Sequence, residues 1–282
     1  MLLQQPTPMM RQFLFDNLLQ NRVHHIEALD LLNLLPDESI DLIVTSPPYD
    51  NLRKYNGFSF DFEGIARESH RVMKDGAVLV WVIRDSFVNG SETLTSFRQA
   101  LYFCECGLNM HQRIVWQKEG LPTKRPKAYL PDFEDVFVFS KGEPSTFNPT
   151  LRRNKKAGQV NRKGRAGING FAYNDGLRQV AEMSLLTNVW TIGVGRGKTT
   201  SDAVDHPAMF PEQLAERCIT SWSDPGHIVL DYFGGSGTTA KMARNNQRRF
   251  ITGDISAEYC DQMNQRLDQP YMLPMFAAVG GD

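Results

Sequence analysis

Ser46, Pro47, Pro48 and Tyr49 stand together at the end of an apolar run, Ile40-Asp41-Leu42-Ile43-Val44-Thr45, and their types suit chemistry on an amino group attached to a ring. The prolines carry no N–H, so their carbonyls project as acceptors, and Ser46 adds a hydroxyl that accepts or donates. An exocyclic amino group offers two hydrogens to such acceptors. Held that way, its nitrogen lone pair is drawn out of ring conjugation and aimed at an electrophile. Tyr49 supplies a flat face for stacking, worth roughly 1–3 kcal/mol per base in nucleic-acid sites. Each proline fixes its own φ and drives the residue before it into an extended conformation, so the loop is stiff before any ligand arrives. A strand-ending turn whose tyrosine caps the core would carry the same four residues, and a second site has to decide.

That second site is Asp231-Tyr232-Phe233-Gly234-Gly235-Ser236-Gly237-Thr238-Thr239, which follows the apolar run Ile228-Val229-Leu230. A helical stretch through Asn246 and a strand from Phe250 to Asp254 come next. Strand, glycine-rich turn, helix, strand and acidic residue make a nucleoside-binding half-site: glycines let the backbone approach the ligand, and Asp254 can accept both ribose hydroxyls. Gly235, Gly237 and Ala240 also match the G-x-G-x-x-A spacing of dinucleotide enzymes, so hydride transfer is a competing reading, although no acid or base for it can be located. Pyrophosphate would avoid the negative charge of Asp231. An aminoacyl sulfonium ligand, with a cationic amine and no phosphate, suits it better.

The elements that must carry these loops alternate. Val23 to Glu27 reads as a strand and Leu29 to Leu35 as a short helix ended by Pro36, followed by the buried strand at Leu42-Ile43-Val44. Phe62 to Met73 has helical spacing, Ala77 to Val82 is a buried strand, Ser96 to Gly107 a helix, and Arg113 to Gln117 and Asp135 to Ser140 are strands. Pro211 and Glu212 start a helix, and Ala257 to Leu267 forms the last one. Such alternation implies an α/β fold with helices covering a largely parallel sheet.

The 282 residues, 41% hydrophobic and 22% charged, suffice for a sizeable core. No apolar run reaches membrane-spanning length and the start lacks a secretory signal, so the expected location is cytoplasmic and no membrane partner is expected. Cys104, Cys106, Cys218 and Cys260 match neither a zinc knuckle nor a disulfide framework and read as buried free thiols; no metal is indicated. With a net charge of -1, a polyanion would have to meet a local patch.

Such a patch exists. Between Lys141 and Lys198 lie Arg152, Arg153, Lys155, Lys156, Arg162, Lys163, Arg165, Arg178 and Arg196, opposed only by Glu143, Asp175 and Glu182. A solvated basic loop would have this composition too, but its one-sidedness favours a surface for backbone phosphates, with Arg152, Arg153, Lys155, Lys156, Arg162, Lys163 and Arg165 as the candidate DNA-binding residues. Asn154, Gln159, Asn161, Asn169 and Asn174 are candidates for reading base edges.

The two motifs resemble those of S-adenosylmethionine-dependent DNA amino-methyltransferases. Asp231 to Thr239 looks like their cofactor loop and Thr45 to Tyr49 like their catalytic loop; the order here, with the catalytic loop first, then a basic insert, then the cofactor loop, is similar to the beta group. The resemblance runs from about Val23 to Leu267. It implies a Rossmann-like methyltransferase fold with circularly permuted motif order and a seven-stranded, mostly parallel sheet with one antiparallel strand. The implied divisions are a leader at 1–22, a catalytic half at 23–142, a target-recognition insert at 143–200, a cofactor half at 201–268 and a tail at 269–282. It further implies that Ser46 and the Pro47 carbonyl receive the target amino group, that Pro48 stiffens the loop and that Tyr49 stacks on the base. S-adenosyl-L-methionine would be held by Asp30 near the adenine, Thr45, His206 and Phe210 at the methionine end, Asp231, Phe233, Gly234, Gly235, Ser236, Gly237, Thr238 and Thr239, with Asp254 on the ribose. Double-stranded DNA is the implied partner; a homodimer and a cognate restriction endonuclease are candidate ones.

The motif opens with Ser46 where an adenine-type loop carries a carboxylate, so cytosine N4 is the favoured target and adenine N6 the alternative. Glutamine methylation of proteins uses a similar loop, with asparagine first and the cofactor loop ahead of it; this chain has neither. A non-catalytic DNA-binding protein on the same scaffold is a further alternative, opposed by the intact Ser46 to Tyr49, Gly235, Gly237 and Asp254.

Overall fold

The computed structural model describes residues 6–48, 60–119, 127–162, 177–194 and 211–269. They fall into two compact units, one of Met1–Asn148 with Asn188–Asp282, the other of Pro149–Thr187.

The first unit is built on eight strands: β1 (Arg22–His25), β2 (Ile40–Thr45), β3 (Met73–Ile83), β4 (Asn109–Glu119), β5 (Phe133–Ser140), β6 (Val189–Gly193), β7 (Ile228–Asp231) and β8 (Arg249–Asp254). Their order across the sheet is β1-β8-β7-β2-β3-β5-β4-β6. β5 runs antiparallel to both its neighbours and every other pairing is parallel. The central strands are continuous branched apolar runs because helices bury both their faces. Leu42, Ile43 and Val44 are all fully buried, as are Leu79, Val80, Trp81 and Val82.

Among the described residues seven α-helices accompany them: α1 (Pro8–Leu14), α2 (Ala28–Leu34), α3 (Phe62–Val72), α4 (Thr95–Glu105), α5 (Glu212–Trp222), α6 (Thr238–Asn245) and α7 (Ala257–Leu267). Ile43, Leu79, Trp81, Phe137 and Phe139 point to one face, where Leu31 and Leu32 of α2, Ile65 of α3 and Phe103 of α4 meet them. Strand alternation sends Leu42, Val44, Val78 and Val80 the other way. There α5 lies on β2 and β3 and presents its own buried stripe of Leu214, Cys218 and Ile219.

The chain leaves β2 for β3 on one side and β7 for β8 on the other. The carboxyl ends of β2 and β7 therefore flank the point where strand order reverses, which is where open α/β sheets bind ligands.

Eight strands stand where seven were expected, because β6 pairs in parallel with β4, Trp190 against Trp116. Its pattern alternates: Trp190 and Ile192 are buried while Val189 and Thr191 are exposed. The basic composition on its amino side hid this four-residue alternation and led to its inclusion in the insert. The expected leader likewise carries structure, α1 and a π-helical turn at Phe15–Leu19 whose Phe15 and Leu19 are buried. Of the cysteines, Cys218 and Cys260 are buried as expected, whereas Cys104 is exposed on α4 and Cys106 half-buried. Among the described residues no helix is long and apolar enough to cross a membrane.

The second unit contains two antiparallel ribbons, Leu151–Arg153 with Met183–Leu185 and Val160–Arg162 with Leu177–Gln179.

Within β6, Trp190 lies parallel to Trp222 at 6.5 Å, with the Arg217 guanidinium 4.9 Å from its ring centre. Trp190→Ala is expected to lower the free energy of unfolding by roughly 3–5 kcal/mol in urea titrations, the usual effect of emptying a large aromatic site. Thr191→Ala, on the exposed face of the same strand, is expected to change it by less than ~0.5 kcal/mol. Equal and small effects would show that the strand is not part of the core.

Candidate active site at the strand-order reversal

β2 and β7 lie side by side, Val229 opposite Leu42 and Leu230 opposite Ile43. Hydrogen bonds pin the pair at both ends. At the amino end the Asp41 carboxylate accepts from the Ile228 N–H at 2.8 Å. At the carboxyl end the Thr45 hydroxyl donates to Asp231 Oδ1 at 2.7 Å. The same oxygen accepts from the Phe233 N–H at 3.1 Å, and Thr239, at the start of α6, also bonds to this carboxylate. Two loops 186 residues apart in sequence thus begin from one buried cluster.

Asp231 is buried at 5% exposure, and burial pushes its carboxyl up to about 6 against the pull of its donors. A phosphate here would add repulsion to that cost. A cationic amine would relieve it, so the cluster suits an amino-acid-like cation.

On the β2 side, Thr45 is buried, Pro47 is buried, and Ser46 and Pro48 are half-buried. Tyr49 lies outside the described residues. The chain is described again at Phe60, whose ring meets Phe233 edge-on at 5.2 Å. Phe233 also lies 6.3 Å from Trp81, and its neighbour Tyr232 is fully buried with its hydroxyl 3.0 Å from that of Ser69.

On the β7 side the chain turns at once. The Gly237 N–H donates to the Gly234 carbonyl at 2.8 Å, closing the turn, and Gly235 and Gly237 take φ of 50° and 76°, the left-handed region glycine enters without strain. Gly234 has a further reason to lack a side chain: a Cβ there would come within 2.4 Å of Thr252 Oγ1 and 2.8 Å of Met263 Sδ. These glycines answer to the protein beneath the turn as well as to a ligand above it. Gly237 caps α6 without a side-chain hydrogen bond, and the amino end of the helix brings partial positive charge to the turn.

Asp254 ends β8 and braces the same turn, one oxygen accepting from the Gly235 N–H at 2.9 Å and the other from the Ser256 N–H at 2.9 Å. Each oxygen keeps a lone pair for a ligand hydroxyl. The Asp254 carbonyl accepts from the Ile26 N–H at 3.0 Å, so the chain leading into α2 passes this strand end, and Asp30 is exposed in the first turn of α2.

The structure therefore brings Thr45, Ser46, Pro47 and Pro48 together with Asp231, Phe233, Gly234 to Thr239 and Asp254 at adjoining strand ends. His206, Phe210, Lys163 and Arg165, like Tyr49, lie outside the described residues. In the second unit Arg152 and Arg153 are exposed on a ribbon, and Lys155 and Lys156 are exposed in the turn after it; of Arg162 only its strand position is described. Arg153 reaches Glu182 at 3.6 Å, with both side chains in water. Asn154 has another role than the one its type suggested. Its amide donates to the Ala181 carbonyl at 2.7 Å and its side-chain oxygen accepts from Ser184 at 2.8 Å, so both ends hold the unit together.

Sequence reasoning missed Met263 and Arg266 and gave Glu212 no role beyond starting α5. Arg266 donates to the Ser236 carbonyl at 2.8 Å and to Glu212 at 2.5 Å. The spacing of Met263 and Arg266, one turn apart on α7, was visible, but nothing in the sequence aimed that face at the glycine turn.

Comparison with known proteins gives a consistent result. Residues 40–265 match the family described as DNA methylase, with N6 and N4 methyltransferase members. The orphan methyltransferase M.BamHII of Bacillus amyloliquefaciens is 47% identical over 247 residues, covering 84% of this chain and 92% of that protein. The DNA adenine methyltransferase YhdJ of Escherichia coli is 30% identical, covering 86% and 81%. Among solved structures, the cytosine-N4-specific PvuII DNA methyltransferase superposes with a TM-score of 0.65 at 21% identity, covering 89% of this chain and 87% of that one. The fold is that of these methyltransferases.

The ionisation of Asp231 yields a stability prediction. Its folded-state pKa of about 6 lies above the ordinary carboxylate value, so the ligand-free folded state holds its proton longer than the unfolded chain, and stability falls as pH rises from about 4 through about 6. Asp231→Asn removes that loss while keeping an acceptor for Thr45 and Phe233. Urea titrations are expected to show the variant gaining on the wild type by roughly 2 kcal/mol between pH 4 and pH 8, with a plateau above pH 7. A constant difference across that range would refute the assignment.

Proposed function

The chain belongs to the DNA methylase family, and from that premise we propose that it moves a methyl group from S-adenosylmethionine to the exocyclic amino nitrogen of a flipped-out DNA base, with cytosine N4 the favoured target. The observation that carries the reading is the junction of the two loops through Thr45 and Asp231 at 2.7 Å, which starts an amino-group receptor and an amino-acid receptor from one point.

When bound, the donor supplies a methyl group made electrophilic by a sulfonium. The protein supplies alignment. Asp231 would receive the donor's ammonium, and the amino end of α6 would meet its carboxylate. Asp254 would accept from its ribose and Asp30 would serve its adenine, with His206 and Phe210 the candidates for the methionine end. Ser46 and the Pro47 carbonyl accept from the target amino group, which turns the nitrogen lone pair out of the ring plane, and Pro48 keeps that loop stiff. With the amino nitrogen so held, its lone pair would be directed at the donor's methyl group, and the proton the nitrogen loses would pass to water. No covalent intermediate with the enzyme is needed, and catalysis rests on orientation and on dispersing positive charge at the nitrogen. Extracting the base from the duplex costs a few kcal/mol, offset in part by stacking on Tyr49.

The serine at position 46 carries the choice of cytosine, since a carboxylate there would better stabilise a developing cation on adenine N6. Adenine N6 stays as a second reading because YhdJ, named an adenine methyltransferase, is 30% identical. Arg152, Arg153, Lys155 and Lys156 neutralise phosphates, with Arg162, Lys163 and Arg165 in the same stretch. Specificity resides in that insert.

Two measurements test this. Incubation with labelled S-adenosylmethionine and unmethylated DNA, then nucleoside digestion and mass spectrometry, is expected to yield N4-methylcytosine. Tyr49→Ala should lower kcat/KM about 10- to 100-fold, the equivalent of the lost stacking. N6-methyladenine would move the target and keep the class; no methylated nucleoside from protein that binds the donor would overturn the reading. Replacing Lys155 and Lys156 with alanine should weaken binding uniformly across sequences and reduce the salt slope of log K by about 0.9 per lost phosphate contact; an unchanged slope would remove them from the interface.

A further inference from the structure

The glycine turn rests on a buried cationic cluster that the reaction itself does not use. Arg266, in the last turn of α7, is 7% exposed. One guanidinium nitrogen donates to the Ser236 carbonyl at 2.8 Å and to Thr238 Oγ1 at 3.0 Å. The other donates to Glu212 at 2.5 Å, and the same carboxylate oxygen accepts from Lys241 of α6 at 2.9 Å. Two cations thus share one anion beside the amino end of α6.

That arrangement is unfavourable unless it does something. A helix start already carries partial positive charge, so cations placed there raise the local potential. An apolar side chain of similar volume would fill the space with less desolvation. The arginine instead grips the turn at two points: its planar fork fixes the Ser236 carbonyl, which sets that peptide plane, and the Thr238 hydroxyl, which starts α6. Glu212 holds the fork in place and is itself the first residue of α5. Met263, one turn earlier on α7, fills the space under Gly234 and Gly237. The last helix is therefore the floor of the turn, with Met263 giving shape and Arg266 giving orientation.

We propose that Arg266 is a positioning residue: braced by Glu212, it fixes the Ser236–Thr238 backbone in the conformation that receives the amino-acid end of the cofactor. This inference rests on the reading of the glycine turn as the S-adenosylmethionine site. It separates cofactor binding from DNA binding, since α7 supports the turn from the protein side alone.

The test is calorimetric titration of the full chain with S-adenosylhomocysteine, beside fluorescence titration with duplex DNA and hydrogen exchange of the 234–238 amides. Wild type is compared with Arg266→Ala, Arg266→Lys and, as a destabilised control whose ring packs on Trp222 at the opposite end of α5 from Glu212, Trp190→Ala. Arg266→Ala should weaken S-adenosylhomocysteine at least about tenfold, the scale of one lost charged hydrogen bond. DNA affinity should stay within about twofold, a shift too small to be a lost contact. Millimolar methylguanidinium should restore part of the loss. Arg266→Lys keeps the charge toward Glu212 but not the fork, and should be intermediate, with faster exchange at 234–238. Trp190→Ala should bind as wild type. If Arg266→Ala does not fold, Arg266→Lys decides. Wild-type-like S-adenosylhomocysteine binding by the folded Arg266 variants, or an equal loss in Trp190→Ala, overturns the proposal while leaving the cofactor site in place. Failure of the wild type to bind S-adenosylhomocysteine overturns the site reading and this inference with it.

Discussion

A carboxylate taken out of water costs several kcal/mol unless donors or a counter-charge replace its hydration. Asp231 is such a group, buried at the end of β7 and held by the Thr45 hydroxyl, the Phe233 N–H and Thr239. Those donors are neutral, and burial still raises its carboxyl to about 6. Everything around it follows from keeping the group there. β2 must lie beside β7 to supply Thr45, and the pairing is secured at its other end by Asp41. The loop after Thr45 then starts from a fixed point, and Pro47 and Pro48 carry that rigidity forward along it.

The glycine turn shows how one backbone segment meets demands from two sides. Gly235 and Gly237 adopt positive φ, and Asp254 braces Gly235 from β8. From beneath, Met263 approaches so closely that a Cβ on Gly234 or Gly237 would clash. A turn fixed by contacts on its protein side reaches its ligand already shaped, so less ordering entropy is lost on binding. The aromatic contact between Phe60 and Phe233 ties the chain that leads into α3 to the turn after β7, a second physical link between the two strand ends.

Much of this was legible in the residues. The strands at Leu42-Ile43-Val44, Ala77 to Val82 and Ile228 to Leu230 announced themselves as branched apolar runs, because a parallel sheet covered on both faces leaves no other composition. The proline pair and the glycine turn announced themselves as breaks in those runs. β6 escaped notice because its signal is a four-residue alternation next to a basic stretch, too short to outweigh composition. Asn154 looked like a base reader by type, yet its hydrogen bonds to Ala181 and Ser184 occupy both ends, which is a property of tertiary contacts alone. Glu212 showed only as a helix start, and Arg266 not at all. Nothing local distinguishes a solvated arginine from one buried 54 residues away from its carboxylate partner.

The central claim is that the buried Asp231 receives the cationic amine of the methyl donor, and proton linkage tests it directly. S-adenosylhomocysteine carries the same amine without the sulfonium, so its binding should drive Asp231 toward the ionised form. Calorimetry in buffers of different ionisation enthalpy should then show release of about half a proton per ligand at pH 6, vanishing by about pH 7.5 and absent in Asp231→Asn. Proton release that is independent of pH, or that persists in Asp231→Asn, would contradict the account and send the search for the amine's partner elsewhere in the site.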